Sequence, residues 1–310
     1  MVPARNATLA IAADLGGTKL AVALVDVRGR VRRSISEPTE LSDSRACLNQ
    51  LIAAIQRAKG WARGRATVAG ISVPGLVRRD GTVWAPNLPG WKRMPVARAV
   101  ARATGLRVAV ESDRNASVLG ESWRGAASGA TDAVFLIVGT GIGAGILSGG
   151  RLVRGADELS GCAGWLAVAA HGANSRAAVT VLEPAAAGPA IAAQGAEALG
   201  RAGMTAREVF TAARQGRREA RAVIERAAFH LGLAVANIIS LFNPQVVVLG
   251  GGVGVAGELL LTPLRRTALR WAQPLAARRV RIVASRLRGR APLLGAARLA
   301  FDLAIEDNTE

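Results

Sequence analysis

The stretch TLAIAADLGGTKLAVALVDVRGRVRRSI, residues 8–35, decides the fold. An apolar run ends at Asp14 and a Gly-Gly turn follows. A second apolar run ends in a turn at Arg28-Gly29, and a third run completes the unit. The same plan returns in AVFLIVGTGIGAGILSGGRLVRG, residues 133–155, with turns at Gly139–Gly141 and at Gly149-Gly150. Two copies of strand–turn–strand–turn–strand imply two similar α/β halves, each presenting a glycine turn.

Between the copies, RACLNQLIAAIQRAKGW (45–61) and MPVARAVARATG (94–105) carry apolar residues at helical spacing. VAGISVPGLV (68–77) and RVAVESD (107–113) read as buried strands that end in polar residues. Residues 187–240 are Ala-rich and mostly helical, and PQVVVLGGGVG (244–254) is a buried strand running into glycines. No linker or low-complexity stretch separates the halves, so a cleft between two packed domains is expected. The expected division is 1–115 for the first domain, completed by a C-terminal helix at 292–310, and 116–291 for the second, with a helical insertion.

The chain has 310 residues, 50% hydrophobic and 20% charged, which excludes a disordered protein. Its formal charge of +18 invites a nucleic-acid reading, but only Lys19, Lys59 and Lys92 are lysines and the arginines are scattered. The densest cluster, RQGRREARAVIER (214–226), reads as the solvated face of a helix. The two cysteines, Cys47 and Cys162, form neither a disulfide framework nor a metal-ligand spacing. The charge-free stretch from Leu231 to Gly257 is broken by Asn237, Pro244 and a glycine cluster, so it reads as core rather than a membrane span. A soluble cytoplasmic protein without nucleic-acid or membrane partners is expected.

Three glycine turns follow buried strands: Gly16-Gly17-Thr18, Gly139-Thr140-Gly141 and Gly250-Gly251-Gly252. Glycines there let backbone N–H groups approach phosphate oxygens without interference from a Cβ. None fits the Walker or the dinucleotide spacing. Asp14 closes the first strand just before its turn, where a carboxylate can hold a hydrated Mg²⁺ against phosphates.

On these residues the chain resembles the ROK family (repressors, open reading frames and kinases) of the sugar-kinase, hsp70 and actin superfamily. DLGGTK (14–19), VGTGIGAGIL (138–147) and VVVLGGGV (246–253) match its two phosphate motifs and adenosine motif. VPGLV (73–77), APNLPGW (85–91), SDRNASVLGE (112–121), LFNPQVVVLGGG (241–252) and LLGAARLA (293–300) match further family features. The resemblance implies two similar α/β domains of the ribonuclease-H-like, actin-like ATPase type. It implies ATP and Mg²⁺, with Gly16, Gly17, Thr18, Lys19, Gly139, Thr140, Gly141, Gly251 and Gly252 on the nucleotide and Asp14 on the metal through water. It makes Asp113 the catalytic base, a role suited to a carboxylate at a strand end that takes a hydroxyl proton during attack on the γ-phosphate. The residues alone also allow Asp113 to be a helix N-cap.

The departures concern the acceptor. Family hexose kinases carry Gly-Glu-x-Gly-His followed by a Cys-x-Cys-Gly-x-x-Gly-Cys loop, whose histidine and three cysteines bind zinc. In SGCAGWLAVAAHGANSRAAVTVLEP (160–184), Cys162 stands at the glutamate position and Trp165 at the histidine position. Asn174, Arg176 and Val181 stand at the three cysteine positions, and His171 alone cannot replace them, so no zinc is expected. Ser112 stands where the family has a sugar-binding asparagine, while Asn87 and Glu183 match sugar-contacting positions. Each unpaired buried hydroxyl costs about 1–3 kcal/mol, so Cys162, Trp165 and Ser112 in place of three polar partners disfavour glucose. Trp165 reads either as a flat pocket wall or as core filling the missing zinc site.

The expected activity is therefore an ATP-dependent kinase for a primary hydroxyl of an atypical sugar, aminosugar or sugar-like cyclitol, of the C7-cyclitol or kanosamine type. An ordinary glucokinase or N-acylhexosamine kinase is the alternative. A non-catalytic sugar-sensing regulator is a third reading, opposed by the retained Asp14 and Asp113 and by the early position of Asp14, which leaves no room for a winged helix-turn-helix. The resemblance also implies a homodimer.

Overall fold

The computed structural model describes residues 8–170 and 179–306. The described chain begins with β1 (Leu9–Leu15), β2 (Lys19–Asp26), β3 (Val31–Pro38) and α1 (Ser44–Ala62). It continues with β4 (Val68–Val73), a short hairpin of β5 (Leu76–Val77) and β6 (Val83–Trp84), α2 (Val96–Thr104), β7 (Arg107–Ser112) and α3 (Asp113–Arg124). These form one sheet in the order β3-β2-β1-β4-β7, with β1–β2 and β2–β3 antiparallel and β1–β4 and β4–β7 parallel. The apolar face of α1 buries Leu51 and Ile55 beneath this sheet, and Asp43 caps the helix by accepting from Arg45 N and Ala46 N.

The second half repeats the design with β8 (Ala133–Val138), β9 (Ile142–Ser148) and β10 (Arg151–Leu152). After β11 (Ala167–Ala170) and β12 (Val179–Val181) come the helices α4 (Leu182–Ala186), α5 (Gly188–Leu199), α6 (Ala206–Arg214) and α7 (Arg218–Phe242). Then follow β13 (Val246–Gly250), α8 (Gly251–Gly254), α9 (Glu258–Trp271), α10 (Pro274–Ala277), β14 (Arg281–Ala284) and finally α11 (Ala291–Glu306). The second sheet runs β10-β9-β8-β13-β14 and matches the first strand for strand, antiparallel and parallel pairs included. This duplicated order is the ribonuclease-H-like, actin-like fold.

The chain divides into two compact units, 1–128 with 154–159 and 290–310, and 129–153 with 160–289. The division falls after Ser128 rather than after residue 115, because α3 stays with the first unit. The reason is close packing of α3 on α11. A Cβ at Gly295 would lie 1.6 Å from Ala116 O, and one at Gly120 would lie 2.2 Å from Ala291 O. Gly70 of β4 brings α11 equally near, at 1.8 Å from Ala296 O to its would-be Cβ. Three glycines thus seat α11 where a larger residue would push it away.

Among the described residues one helix, α7, is long and apolar enough to cross a membrane, and most of its apolar length is buried in the core of the second unit. It turns at Asn243, which adopts φ 45° and leads into the fully buried β13. That accounts for the charge-free stretch as core.

Candidate active site

In the first unit, three polar residues close adjacent parallel strands. Asp14 on β1 is in register with Ser72 on β4, and Ser72 is in register with Glu111 on β7. Ser112 follows on β7, and Asp113 opens α3. Buried strands that stop in polar residues deliver those side chains to one edge of the sheet, the carboxyl edge, where open α/β sheets bind ligands.

The turn after Asp14 is held from within and without. Gly16 N donates to Lys19 O at 2.8 Å, Thr39 Oγ1 donates to Gly16 O at 2.7 Å, and Thr39 N donates to Thr18 O at 3.1 Å. Thr18 and Lys19 are exposed. The exposed Asn87 lies beside the turn, its Cβ 3.9 Å from where a Gly17 side chain would begin. Its loop is anchored by the buried Trp91, whose Nε1 donates to Ser44 O at 3.3 Å.

The Asp14 carboxyl is raised to about 7, chiefly by burial; the adjacent Ser72 hydroxyl draws it down, Asp113 pushes it up, and Lys19 draws it down. Asp113 is likewise raised by burial, against the Arg114 N–H, which donates to its Oδ1 at 2.8 Å. Asp113 is the first residue of α3, and Ser112 takes the N-cap position without a side-chain cap bond. Asp113 therefore does not cap the helix. Ser112 itself is buried, and its Oγ finds no partner. Ser72 Oγ faces Asp14 without reaching hydrogen-bond geometry and is also unsatisfied. An orphaned hydroxyl beside two acids that resist ionisation fits a hydrated divalent cation, which would supply the missing positive charge.

In the second unit, Gly139, Thr140, Gly188 and Gly252 line a cavity of about 890 Å³, walled by Phe210, Met204, Arg207 and Arg214. Gly139 N donates to Gly141 O at 2.9 Å, and Gly188 N donates to Gly139 O at 2.8 Å, which fixes the turn against the start of α5. Gly252 faces the cavity, whereas Gly251 lies against β8. With φ 77° it would place a Cβ 2.4 Å from Val138 O, so glycine there serves the close approach of turn and strand.

Glu183 sits at the second glycine turn. Its Oε2 accepts from Ile142 N at 2.7 Å and lies 2.9 Å from a would-be Gly141 Cβ and 2.8 Å from a would-be Gly164 Cβ. Cys162 and Trp165 flank Gly164 in a 3-10 turn, Ala163–Trp165, with Trp165 N donating to Cys162 O at 3.1 Å. Cys162 is half-buried, but Trp165 is 84% exposed. The reading of Trp165 as core is overturned by this exposure.

Among the described residues no group of three or more His, Cys, Asp or Glu can hold a metal. Val181 lies on β12, while His171, Asn174 and Arg176 lie outside the described residues. Sequence reasoning missed Ser72, although its signal, a polar residue ending a buried strand, is the one that marked Asp14 and Asp113. It also missed Phe210, Arg207 and Arg214, which belong to no motif.

The match to known proteins is extensive. The ROK family model covers residues 10–302. The glucokinase of Thermotoga maritima is 34% identical over 305 residues, 93% of this chain and 95% of that protein. The N-acetylmannosamine kinase of Escherichia coli is 35% identical over 298 residues, covering 94% and 98%. Among solved structures, a ROK family glucokinase from Streptomyces griseus in complex with glucose and AMPPNP superimposes with a TM-score of 0.78 at 30% identity, over 95% of this chain and 99% of that one. The chain belongs to the ROK family.

Proposed function

We propose that this sugar kinase transfers the γ-phosphate of ATP to a primary hydroxyl of an atypical sugar, aminosugar or sugar-like cyclitol, with Asp113 as the base. The observation that carries this reading is the state of Asp113. It heads α3 at the carboxyl edge of the first sheet, its carboxylate receives one neighbouring N–H, and burial raises its proton affinity. Such a group is suited to accept a hydroxyl proton as the oxygen attacks phosphorus.

The remaining roles follow the chemistry of each residue. Backbone N–H groups of Gly16–Thr18 and Gly139–Gly141, the Thr18 and Thr140 hydroxyls and the Lys19 ammonium suit phosphate oxygens. The cavity lined by Gly252 and Phe210 suits the nucleoside. Asp14, through water, would hold Mg²⁺, which supplies charge neutralisation at the phosphates. Asn87, Ser112, Cys162, Trp165 and Glu183 are assigned to the acceptor. A thiol and an exposed indole cannot pair sugar hydroxyls as a carboxylate and an imidazole would, which supports an acceptor with fewer or different hydroxyls. The reading carries with it a cytoplasmic homodimer without zinc.

Glucose or N-acetylmannosamine as acceptor is the second reading, favoured by the relatives bearing those names at 34% and 35% identity. ADP release measured with glucose, N-acetylmannosamine, kanosamine and a C7-cyclitol separates the two. The proposal expects kcat/KM for kanosamine or the cyclitol to exceed that for glucose and N-acetylmannosamine by about tenfold or more, the scale of one lost hydrogen-bond partner. Glucose or N-acetylmannosamine as the best acceptor establishes the second reading instead.

A further inference from the structure

Glu111 is 1% exposed at the end of β7, two residues before Asp113, and its hydrogen bonds converge on that hinge. It accepts at Oε1 from Ser112 N at 2.7 Å and from Asn115 Nδ2 at 3.0 Å, and at Oε2 it pairs with Arg154 Nη1. Asp113 lies between the two residues that Glu111 grips. Its own carboxylate accepts at Oδ1 from the N–H of its neighbour Arg114 at 2.8 Å.

Arg154 opens the segment 154–159, which belongs to the first unit, and the far end of that segment is pinned to the same hinge. Glu158 pairs with Arg79 Nε at 3.1 Å, lies 3.7 Å from Arg154, and accepts at its carbonyl from Arg114 Nη2 at 3.3 Å. Glu158 has φ 60°, a left-handed conformation that a residue other than glycine keeps only where surrounding contacts hold it there. The segment is thus tied to the residue before Asp113's neighbour on one side and to the residue after Asp113 on the other.

We infer that Arg154 and Glu111 are positioning residues for Asp113: the ion pair fixes Glu111, and Glu111 holds the backbone N–H of Ser112 before the base and the side-chain amide of Asn115 after it. Neither touches the Asp113 carboxylate. The inference deepens the reading of Asp113 as base and rests on it. A buried carboxylate with one guanidinium partner is a sensitive brace, since removing the partner leaves an uncompensated charge. A misplacement of about 1 Å in a reacting group can cost as much as 10²-fold in rate.

The test uses Glu111→Gln, Arg154→Met, Arg154→Lys and the double variant Glu111→Gln/Arg154→Met, with Asp113→Asn as control. ADP release is followed with kanosamine, glucose and N-acetylmannosamine as probes, and amide exchange at Ser112 gives a reading that needs no turnover. The expected result is a fall in kcat of roughly tenfold in Glu111→Gln and Arg154→Met with KM for ATP unchanged. Arg154→Lys should recover most of the rate, the double variant should be no slower than the slower single variant, and Ser112 N–H should exchange faster in the double variant. Should Arg154→Met fail to fold, the double variant carries the test, because it leaves no buried unpaired charge. Full activity of Asp113→Asn removes the reading on which the inference rests. An inactive Asp113→Asn beside a double variant with kcat within twofold of wild type, or with Ser112 exchange unchanged, overturns the inference alone.

Discussion

Asp113 raises the proton affinity of Asp14 from two strands away: Asp14 lies at the end of β1 and Asp113 opens α3 just after β7, with β4 and its orphaned Ser72 hydroxyl between the two strands. Together with burial, the larger cause, this raises Asp14 to about 7, so below that pH the folded protein holds a proton there that the unfolded chain releases. A carboxyl with a raised folded pKa contributes stability that is present below its unfolded value, near 4, and is lost as pH rises through about 7.

The ligand-free protein should therefore have a higher Tm at pH 6 than at pH 8, measured by calorimetry. Asp14→Asn should flatten that difference and be the more stable protein at pH 8, while losing activity. Addition of Mg²⁺ with ATP should raise the wild-type Tm more at pH 8 than at pH 6, because ionised Asp14 is then the favoured form. An Asp14→Asn variant with the same Tm profile as wild type removes the titration of Asp14 from the account.

Zinc content follows from the residues at the family's ligand positions. Trp165, Asn174, Arg176 and Val181 offer no thiolate or imidazole. Elemental analysis of purified protein should find no stoichiometric zinc, and chelator should leave Tm unchanged. One zinc per chain contradicts this.

The acceptor pocket makes a third prediction. Cys162→Glu with Trp165→His restores a carboxylate and an imidazole on either side of Gly164 and beside Glu183. The double variant should gain activity on glucose and lose it on the native acceptor. Because Trp165 is exposed, its replacement opens no core cavity and Tm should change by little. A glucose rate in wild type equal to that of the double variant contradicts the pocket argument.

The sheets were legible because their strands are short apolar runs bounded by glycines, and because the run–turn–run plan of 8–35 recurs at 133–155. The three glycine turns were legible for the same reason, yet they do different things. Gly252 borders the cavity while Gly251 makes room for Val138, a distinction of backbone geometry that the letters do not carry. The division of units after Ser128 depends on Gly120 and Gly295, which let α3 pack on α11, a contact between residues far apart in the chain. The fifth strand of the second sheet, RIVA at 281–284, is too short to announce itself. Trp165 was ambiguous in sequence, since an indole suits a wall or a core equally; only its surroundings decide.

The catalytic reading comes down to one carboxylate. Asp113→Asn keeps the size of the side chain and its position at the head of α3, but cannot take a full proton. The direct measurement is steady-state ADP release by wild type and Asp113→Asn with the best acceptor, alongside calorimetric binding of ATP to both. The account predicts a fall in kcat of roughly 10²-fold or more with ATP affinity retained. An Asp113→Asn variant that turns over at the wild-type rate contradicts it.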